Sequence, residues 1–225
     1  MDGIVTLDPL KVFNQIGEDC PKQLFALGNT SILDELNNFE KVAIIGARNA
    51  DIEGIAVAYD LGKQFNNTIV ISGLAKGIDT AAHVGCLYRR GLTIAVVGSG
   101  LNHIHPKENI PLQKRILANN GLILAEQSPK VKASTRTLIA RTRLQVALAD
   151  KVYVIECEKE SGTMHAVNFA LKYGKPIYAL DCDWSGNRYL IDTGLGEPFK
   201  PFWNDEINKA NQIINNIRNK DVQKG

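Results

Sequence analysis

Four short stretches of the sequence set glycine beside a hydroxyl or a cation: Gly46-Ala47-Arg48, Ser72-Gly73-Leu74-Ala75-Lys76-Gly77, Gly98-Ser99-Gly100 and Ser161-Gly162-Thr163. Glycine lets a backbone approach a phosphate closely, and free N–H groups at the start of a following helix favour anions. A tight turn needs glycine for packing alone, so no single stretch specifies a ligand. The four together, with Arg48 and Lys76 added, point to an anionic one. Between Gln127 and Ala149 lie five basic residues (Lys130, Lys132, Arg136, Arg141, Arg143) and no acidic one. That window carries +5 in a chain whose total is +2, which leaves −3 on the remainder. A basic segment on a slightly acidic body suits a phosphate-facing surface.

The elements that must position these turns are legible from apolar patterning. Val42–Ile45, Thr68–Ile71, Thr93–Val97, Leu122–Ala125, Val152–Ile155 and Pro176–Leu180 are nearly continuous apolar runs, as strands covered on both faces are. Between them the spacing predicts helices over Asp51–Phe65, Gly77–Arg89, Asn109–Asn119, Thr135–Ala149 and Ser161–Tyr173. Strand and helix in repetition mean an α/β fold: a doubly wound, Rossmann-like, mostly parallel sheet with helices on both faces. In such sheets ligands bind outside the carboxyl ends of the strands, where the four turns fall. Residues 1–40 do not alternate and read as a short prefix. The core is expected over 41–200. Residues 201–225, with Ile207, Ile213, Ile214 and Ile217, suit a thin amphipathic helix and a frayed tail.

Composition narrows the class further. With 225 residues, 44% hydrophobic and 22% charged, the chain is ordinary for a globular protein and not for a disordered or collagen-like one. No apolar run nears the roughly 18 residues that span a bilayer. Met1-Asp2-Gly3 has no basic or apolar leader character, so the expected setting is the cytoplasm, away from membranes. Cys20, Cys86, Cys157 and Cys182 stand singly and are expected as reduced thiols. Gly46-Ala47-Arg48-Asn49-Ala50-Asp51 lacks the later glycines of a dinucleotide fingerprint, and Lys76 precedes its glycine, unlike a Walker loop. His103 and His105 lack a third ligand at metal spacing. No cofactor and no metal is expected.

At the second turn a family resemblance becomes specific. Ser72-Gly73-Leu74-Ala75-Lys76-Gly77-Ile78-Asp79-Thr80-Ala81-Ala82-His83 resembles the signature SGxARGID-xxAH of the DNA-processing protein A (DprA/Smf) family. In order, residues 42–48 resemble its VAIVGSR, residues 93–109 its TIAVLGxGLDxxYPxEN, and residues 121–126 its GxLxSE. Arg141-Thr142-Arg143 falls where the family has RNR, and Ser161-Gly162-Thr163 where it has SGS. The resemblance covers about residues 20–195 and the Rossmann-like core, without the winged-helix domain many members carry.

It implies a non-catalytic, homodimeric protein that binds single-stranded DNA and loads a RecA-type recombinase during natural transformation. It further implies a DNA site of Arg48, Ser72, Gly73, Lys76, Gly77, Arg141 and Arg143, with Ser161, Gly162 and Thr163 as phosphate-binding positions. Little base preference is expected, because backbone-directed turns read phosphate. Lys76 stands where the family has arginine, giving up a bidentate fork for a point charge.

At 100° per residue, Arg136 and Arg143 share a helix face to within about 20°, whereas Arg141 lies about 160° from Arg143. One regular helix cannot aim all three at one groove. Either Arg136 belongs to a loop or Arg141 serves elsewhere, pairing with Asp150 or Glu126. Asp79 is expected to complement its helix start and His83 to pack beneath the sheet. Glu156, Glu158 and Glu160 are expected to pair with nearby cations or face solvent. Two other functions share these turns. One is a sensor of a small nucleotide signal. The other is a nucleoside-monophosphate phosphoribohydrolase, disfavoured because Ala166 stands where those enzymes carry a glutamate.

Overall fold

Side chains alternate across a strand, so a strand buried on both faces must be apolar throughout. The computed structural model, which describes residues 3–64 and 67–201, shows the predicted strands doing this. In chain order the elements are β1 (Val5–Leu7), α1 (Pro9–Phe13), β2 (Leu24–Gly28), β3 (Glu40–Gly46), α2 (Ile52–Gln64), β4 (Thr68–Ser72) and α3 (Ile78–Tyr88). There follow β5 (Leu92–Val97), α4 (Ile110–Ala118), β6 (Leu122–Ala125), α5 (Thr135–Ala140), α6 (Thr142–Leu148) and β7 (Lys151–Ile155). The last are α7 (Thr163–Lys172), β8 (Ile177–Leu180), α8 (Ser185–Asp192) and β9 (Glu197–Phe199). Short 3-10 turns join several of them.

Among the described residues nine strands form one sheet, in the order β1-β2-β6-β5-β4-β3-β7-β8-β9. The six predicted strands and β9 run parallel, while β1 and β2 extend the edge antiparallel. From β3 the chain steps outward through β4 and β5 to β6, then recrosses through α5 and α6 to β7 on the other side of β3. Strand order therefore reverses between β3 and β7.

Val42, Ile44 and Val70 pack beneath α2 and α3, and Ala95, Val97 and Ile123 beneath α4. The opposite side chains, Ala43, Ile45, Ile71, Ile94 and Leu124, pack with Phe13, Leu144 and Val167 from the other layer. The α/β fold with helices on both faces is thus the fold expected.

Three local differences follow from weak or competing signals. The prefix 1–40 joins the sheet through β1 and β2, β1 being only three residues long. The expected helix Thr135–Ala149 breaks at Arg141 into α5 and α6. Helix α8 was not expected. The C-terminal helix expected over 201–225 lies outside the described residues, apart from Pro201.

Candidate functional site

The first two turns interlock. Gly77 has φ +69°, and a Cβ there would meet the Ala47 and Arg48 carbonyl oxygens at 2.4 and 2.6 Å. The Ile78 N–H donates to Ala47 O at 3.2 Å. Only glycine lets the two turns nest this closely, and the nesting brings Arg48 and Lys76 to neighbouring strand ends.

The second turn is stiffened from within. Asp79 is buried, and its Oδ2 accepts from the Gly73 and Ala75 N–H groups at 3.1 and 3.2 Å. Arg141 Nη2 lies 3.5 Å from the same oxygen, and Arg141 Nη1 donates to Val96 O at 2.9 Å. A Cβ on Gly73 would fall 1.3 Å from Arg141 Nη1, so this glycine makes room for the guanidinium. From the other side Asn109 Nδ2 donates to Leu74 O at 2.9 Å and Thr80 Oγ1 at 2.8 Å. These bonds hold Leu74 at φ 58°, a region costing a non-glycine residue about 1 kcal/mol or more.

The first turn is held by Glu156. Its backbone oxygen accepts from Ala47 N–H at 2.8 Å, and its Oε2 accepts from Asp51 N–H at 2.8 Å. The carboxylate thereby sits at the start of α2, where a negative charge suits the helix dipole. Burial raises its pKa, against the opposing N–H bonds from Asp51 and Gly54. Glu156 is therefore a buried brace on backbone N–H groups, and not a residue that pairs with a cation or faces solvent, as expected. Glu158 accepts a short hydrogen bond from Ser185 Oγ, and Glu160 is exposed.

Two adjoining cavities open at these strand ends. The larger, about 530 Å³, lies at the reversal between β3 and β7, with Arg48, Gln145, Ser161, Thr163 and Trp184 in its wall. The smaller, about 470 Å³, runs from Arg48 past Lys76 to Lys107 and Glu108. Arg48 and Arg141 line both. Arg48 is exposed and makes no ion pair among the described residues. Lys76 is exposed too, but its Nζ lies 2.7 Å from Glu108 Oε1. The hydrogen bond from Lys76 is the main reason the Glu108 carboxyl sits below its ordinary range.

Several expected contacts are placed elsewhere. Ser72 is fully buried, and its hydroxyl donates to Ile44 O at 2.7 Å, tying β4 to β3. Gly73 is likewise covered. Arg141 pairs with Asp79, not with Asp150 or Glu126, and burial lowers its pKa although Asp79 opposes the shift. It is the floor beneath the turn. Arg143 makes a bidentate pair with Glu126 (2.8 and 2.7 Å), while its Nε donates to Asp19 O. Burial disfavours its charge, but Glu126 outweighs burial and raises its pKa. A guanidinium so occupied has no fork to offer a phosphate. Arg136 lies exposed in the first turn of α5. The third turn is roofed: Gly100 N–H donates to Val131 O, and Gly98 packs on Leu138.

At the fourth turn Gly162 is exposed at the start of α7, Ser161 Oγ is buried without a hydrogen-bond partner among the described residues, and Thr163 Oγ1 donates to Gly46 O at 3.1 Å. His83 is fully buried, with its Nδ1 2.7 Å from Thr93 Oγ1, so it packs beneath the sheet as expected. All four cysteines are free thiols.

Reading the sequence for function missed Asp79, Asn109 and Glu156 as the braces of the two open turns. The signal for two of them was present in the residues 72–83 and 93–109 matched above.

Residues 9–200 match the family model described as DNA recombination-mediator protein A. The DNA processing protein DprA of Streptococcus pneumoniae strain R6 is 37% identical over 182 residues, covering 78% of this chain and 63% of that protein. That of Bacillus subtilis strain 168 is 31% identical, covering 81% and 59%. The chain thus spans about three fifths of the length of these relatives. The structure of DNA processing protein A from Helicobacter pylori, described for its single-stranded DNA binding mode, superposes with a TM-score of 0.78. It is 30% identical and covers 87% of this chain and 90% of that one. The braced turns, the sheet that carries them and the sequence of nearly the whole described chain thus agree, and this protein belongs to the DNA recombination-mediator protein A (DprA/Smf) family.

Proposed function

We propose that this protein binds single-stranded DNA without catalysis, in the cytoplasm, as a homodimer, and assists a RecA-type recombinase in DNA uptake or recombination. The strand's phosphates run over Arg48, Lys76 and the edge of Gly77, and continue toward Ser161, Gly162 and Thr163. The carrying observation is Arg48. It is an exposed guanidinium without an ion-pair partner among the described residues, at the junction of two cavities where strand order reverses. Single strands are held by basic grooves with N–H groups on phosphates. The structural neighbour from Helicobacter pylori supports the choice of ligand.

Binding of a labelled oligonucleotide, single- and double-stranded, across a salt series tests this. Arg48→Ala is expected to weaken single-strand binding and reduce the log K against log salt slope by about 0.7. Its melting temperature is expected to hold. An unchanged slope would remove Arg48 from the DNA path and favour a small nucleotide as the ligand, since a cavity of 530 Å³ also suits one.

A further inference from the structure

A third cavity, of about 580 Å³, lies on the outer side of the α2/α3 layer, and every residue in its wall belongs to α2, α3 or Gly77. At 100° per residue Ile52, Ile55, Ala56, Tyr59 and Lys63 fall within about 100° of one another, so α2 turns one stripe outward beside α3. Ile52 is 88% exposed and Ile55 41%, and Tyr88, at the end of α3, is 65% exposed. The Tyr59 and Tyr88 rings lie 6.1 Å apart across the groove. Single exposed apolar side chains are ordinary on a protein surface, but several gathered on one helix pair mark a contact. The phosphate path does not use them.

Charge is divided along this groove. Asp51 and Glu53 stand at the start of α2, the end nearer Arg48, and both are exposed. Lys63 stands in the last turn of α2, with its Nζ 5.9 and 5.7 Å from the Tyr59 and Tyr88 ring centres. Arg89 and Arg90, both exposed, follow the end of α3. One end of the groove is thus acidic and the other basic, about 20 Å apart over the 13 residues of α2. A phosphate backbone laid along it would pass the carboxylates of Asp51, Glu53 and Asp60, which argues against nucleic acid as the occupant. A surface that is acidic at one end, apolar in the middle and basic at the other is complementary to itself turned end for end.

We propose that this groove is the contact between two copies of the chain, packed about a two-fold axis near the middle of α2 with the two α2 helices antiparallel. Ile52, Ile55 and Tyr88 are covered there, and Glu53 of each protomer meets the basic end of its partner. Ala56, small and exposed midway along the stripe, lets the helices approach closely. The proposal rests on the homodimer reading and gives it a surface. Ile52 follows Arg48 by four residues, so the two phosphate edges come to lie at opposite ends of the interface.

Sedimentation velocity over a series of protein concentrations tests this, with circular dichroism as the check on folding. Wild type is expected to be a dimer, and Ile55→Glu to raise its dissociation constant by about tenfold or more. Should Ile55→Glu lose the wild-type spectrum, Ile52→Asp carries the same test at a more exposed side chain. Glu53→Lys is expected to raise the constant by about two- to tenfold at low salt. Arg89→Glu added to Glu53→Lys is expected to bring it back toward the wild-type value. A dimer whose dissociation constant is unchanged in Ile55→Glu and Ile52→Asp would place the contact on another face, overturning the proposal and leaving the homodimer reading standing. A wild type that stays monomeric throughout would overturn both. Failure of Arg89→Glu to offset Glu53→Lys would overturn the antiparallel arrangement.

Discussion

Asp79 and Arg141 meet at 3.5 Å beneath the second turn, each nearly closed to solvent, and each also holds backbone. Asp79 takes the Gly73 and Ala75 N–H groups, and Arg141 reaches the Val96 carbonyl. Together they tie the second turn to the helix break at Arg141, 62 residues beyond Asp79 in sequence, and to the end of β5. Arg141, expected as a ligand contact, is the buried support of the second turn.

Removing either partner leaves an uncompensated buried charge, at a cost of about 3–5 kcal/mol. Asp79→Ala and Arg141→Met are each expected to destabilise the fold by about that amount in urea unfolding. The double variant is expected to lose less than the two losses combined, because the second substitution removes the stranded charge. Strict additivity would mean that the two residues act independently.

The buried histidine gives a pH prediction whose sign is fixed by geometry. Burial, with the nearby Arg141 charge second, drives the His83 pKa from 6.5 down to about 3. The unfolded chain therefore binds a proton that the folded one refuses between these values. Its contribution is fully present above pH 6.5 and is lost as pH falls toward 3, by up to about 1.4 kcal/mol per pH unit. Asp19 and Asp181, whose carboxyls are held low by Lys172 and Arg188, add their losses only below about pH 4. Urea midpoints at pH 7, 6 and 5 lie above the range of the two aspartates, and comparison with His83→Leu separates the histidine from Glu156, whose raised carboxyl pKa acts in the opposite sense as pH falls. In His83→Leu, where Thr93 still donates to Val70 O, the slope is expected to flatten. The same slope in both proteins would place the pH dependence elsewhere.

The parallel core was legible because its strands, such as Val152–Ile155 and Leu122–Ala125, are apolar without interruption and leave no alternative to burial on both faces. The edge was not. β1 and β9 are three residues long, too short for any period to register. The break at Arg141 was hidden for a different reason. Residues 135–149 favour one continuous helix locally, but Arg141 must reach Asp79 and Val96, and Thr142 Oγ1 back-bonds to Ile139 O, which bends helices. Charge was the least legible property of the site. The sequence shows which residues are basic, but Arg143 is neutralised by Glu126, 17 positions away, and Arg141 by Asp79, 62 positions away. Only folding reveals that Arg48 is left open.

Glycine at position 73 yields a test of the support itself. A methyl there would fall 1.3 Å from Arg141 Nη1, against a side chain already held by two partners. Gly73→Ala is expected to destabilise by about 1–3 kcal/mol, the range for forced overpacking, and to weaken oligonucleotide binding by disturbing the turn. Gly162→Ala is the control, since a methyl at that position meets nothing within 4 Å. It is expected to leave stability nearly unchanged. Equal losses in the two variants would show that helix and loop propensity, not the guanidinium, governs position 73.

At Lys76 the cation beside the smaller cavity is already occupied. Lys76 Nζ sits 2.7 Å from Glu108 Oε1, with both side chains more than half exposed. An exposed pair of this kind adds little to stability. Its carboxylate nonetheless stands beside the cavity where phosphates are proposed to lie, repelling them and competing for the lysine. Glu108→Gln is expected to tighten single-stranded DNA binding by about two- to fivefold at low salt, with the gain fading as salt rises. Lys76→Arg is expected to tighten binding as well, by supplying the bidentate fork, whereas Arg48→Lys is expected to weaken it by removing one. In the background of Lys76→Ala, Glu108→Gln is expected to retain only its long-range share of the gain. Binding that is indifferent to Glu108→Gln across the salt series would place the strand away from the smaller cavity, and the path of the phosphates would then run from Arg48 toward Ser161 alone.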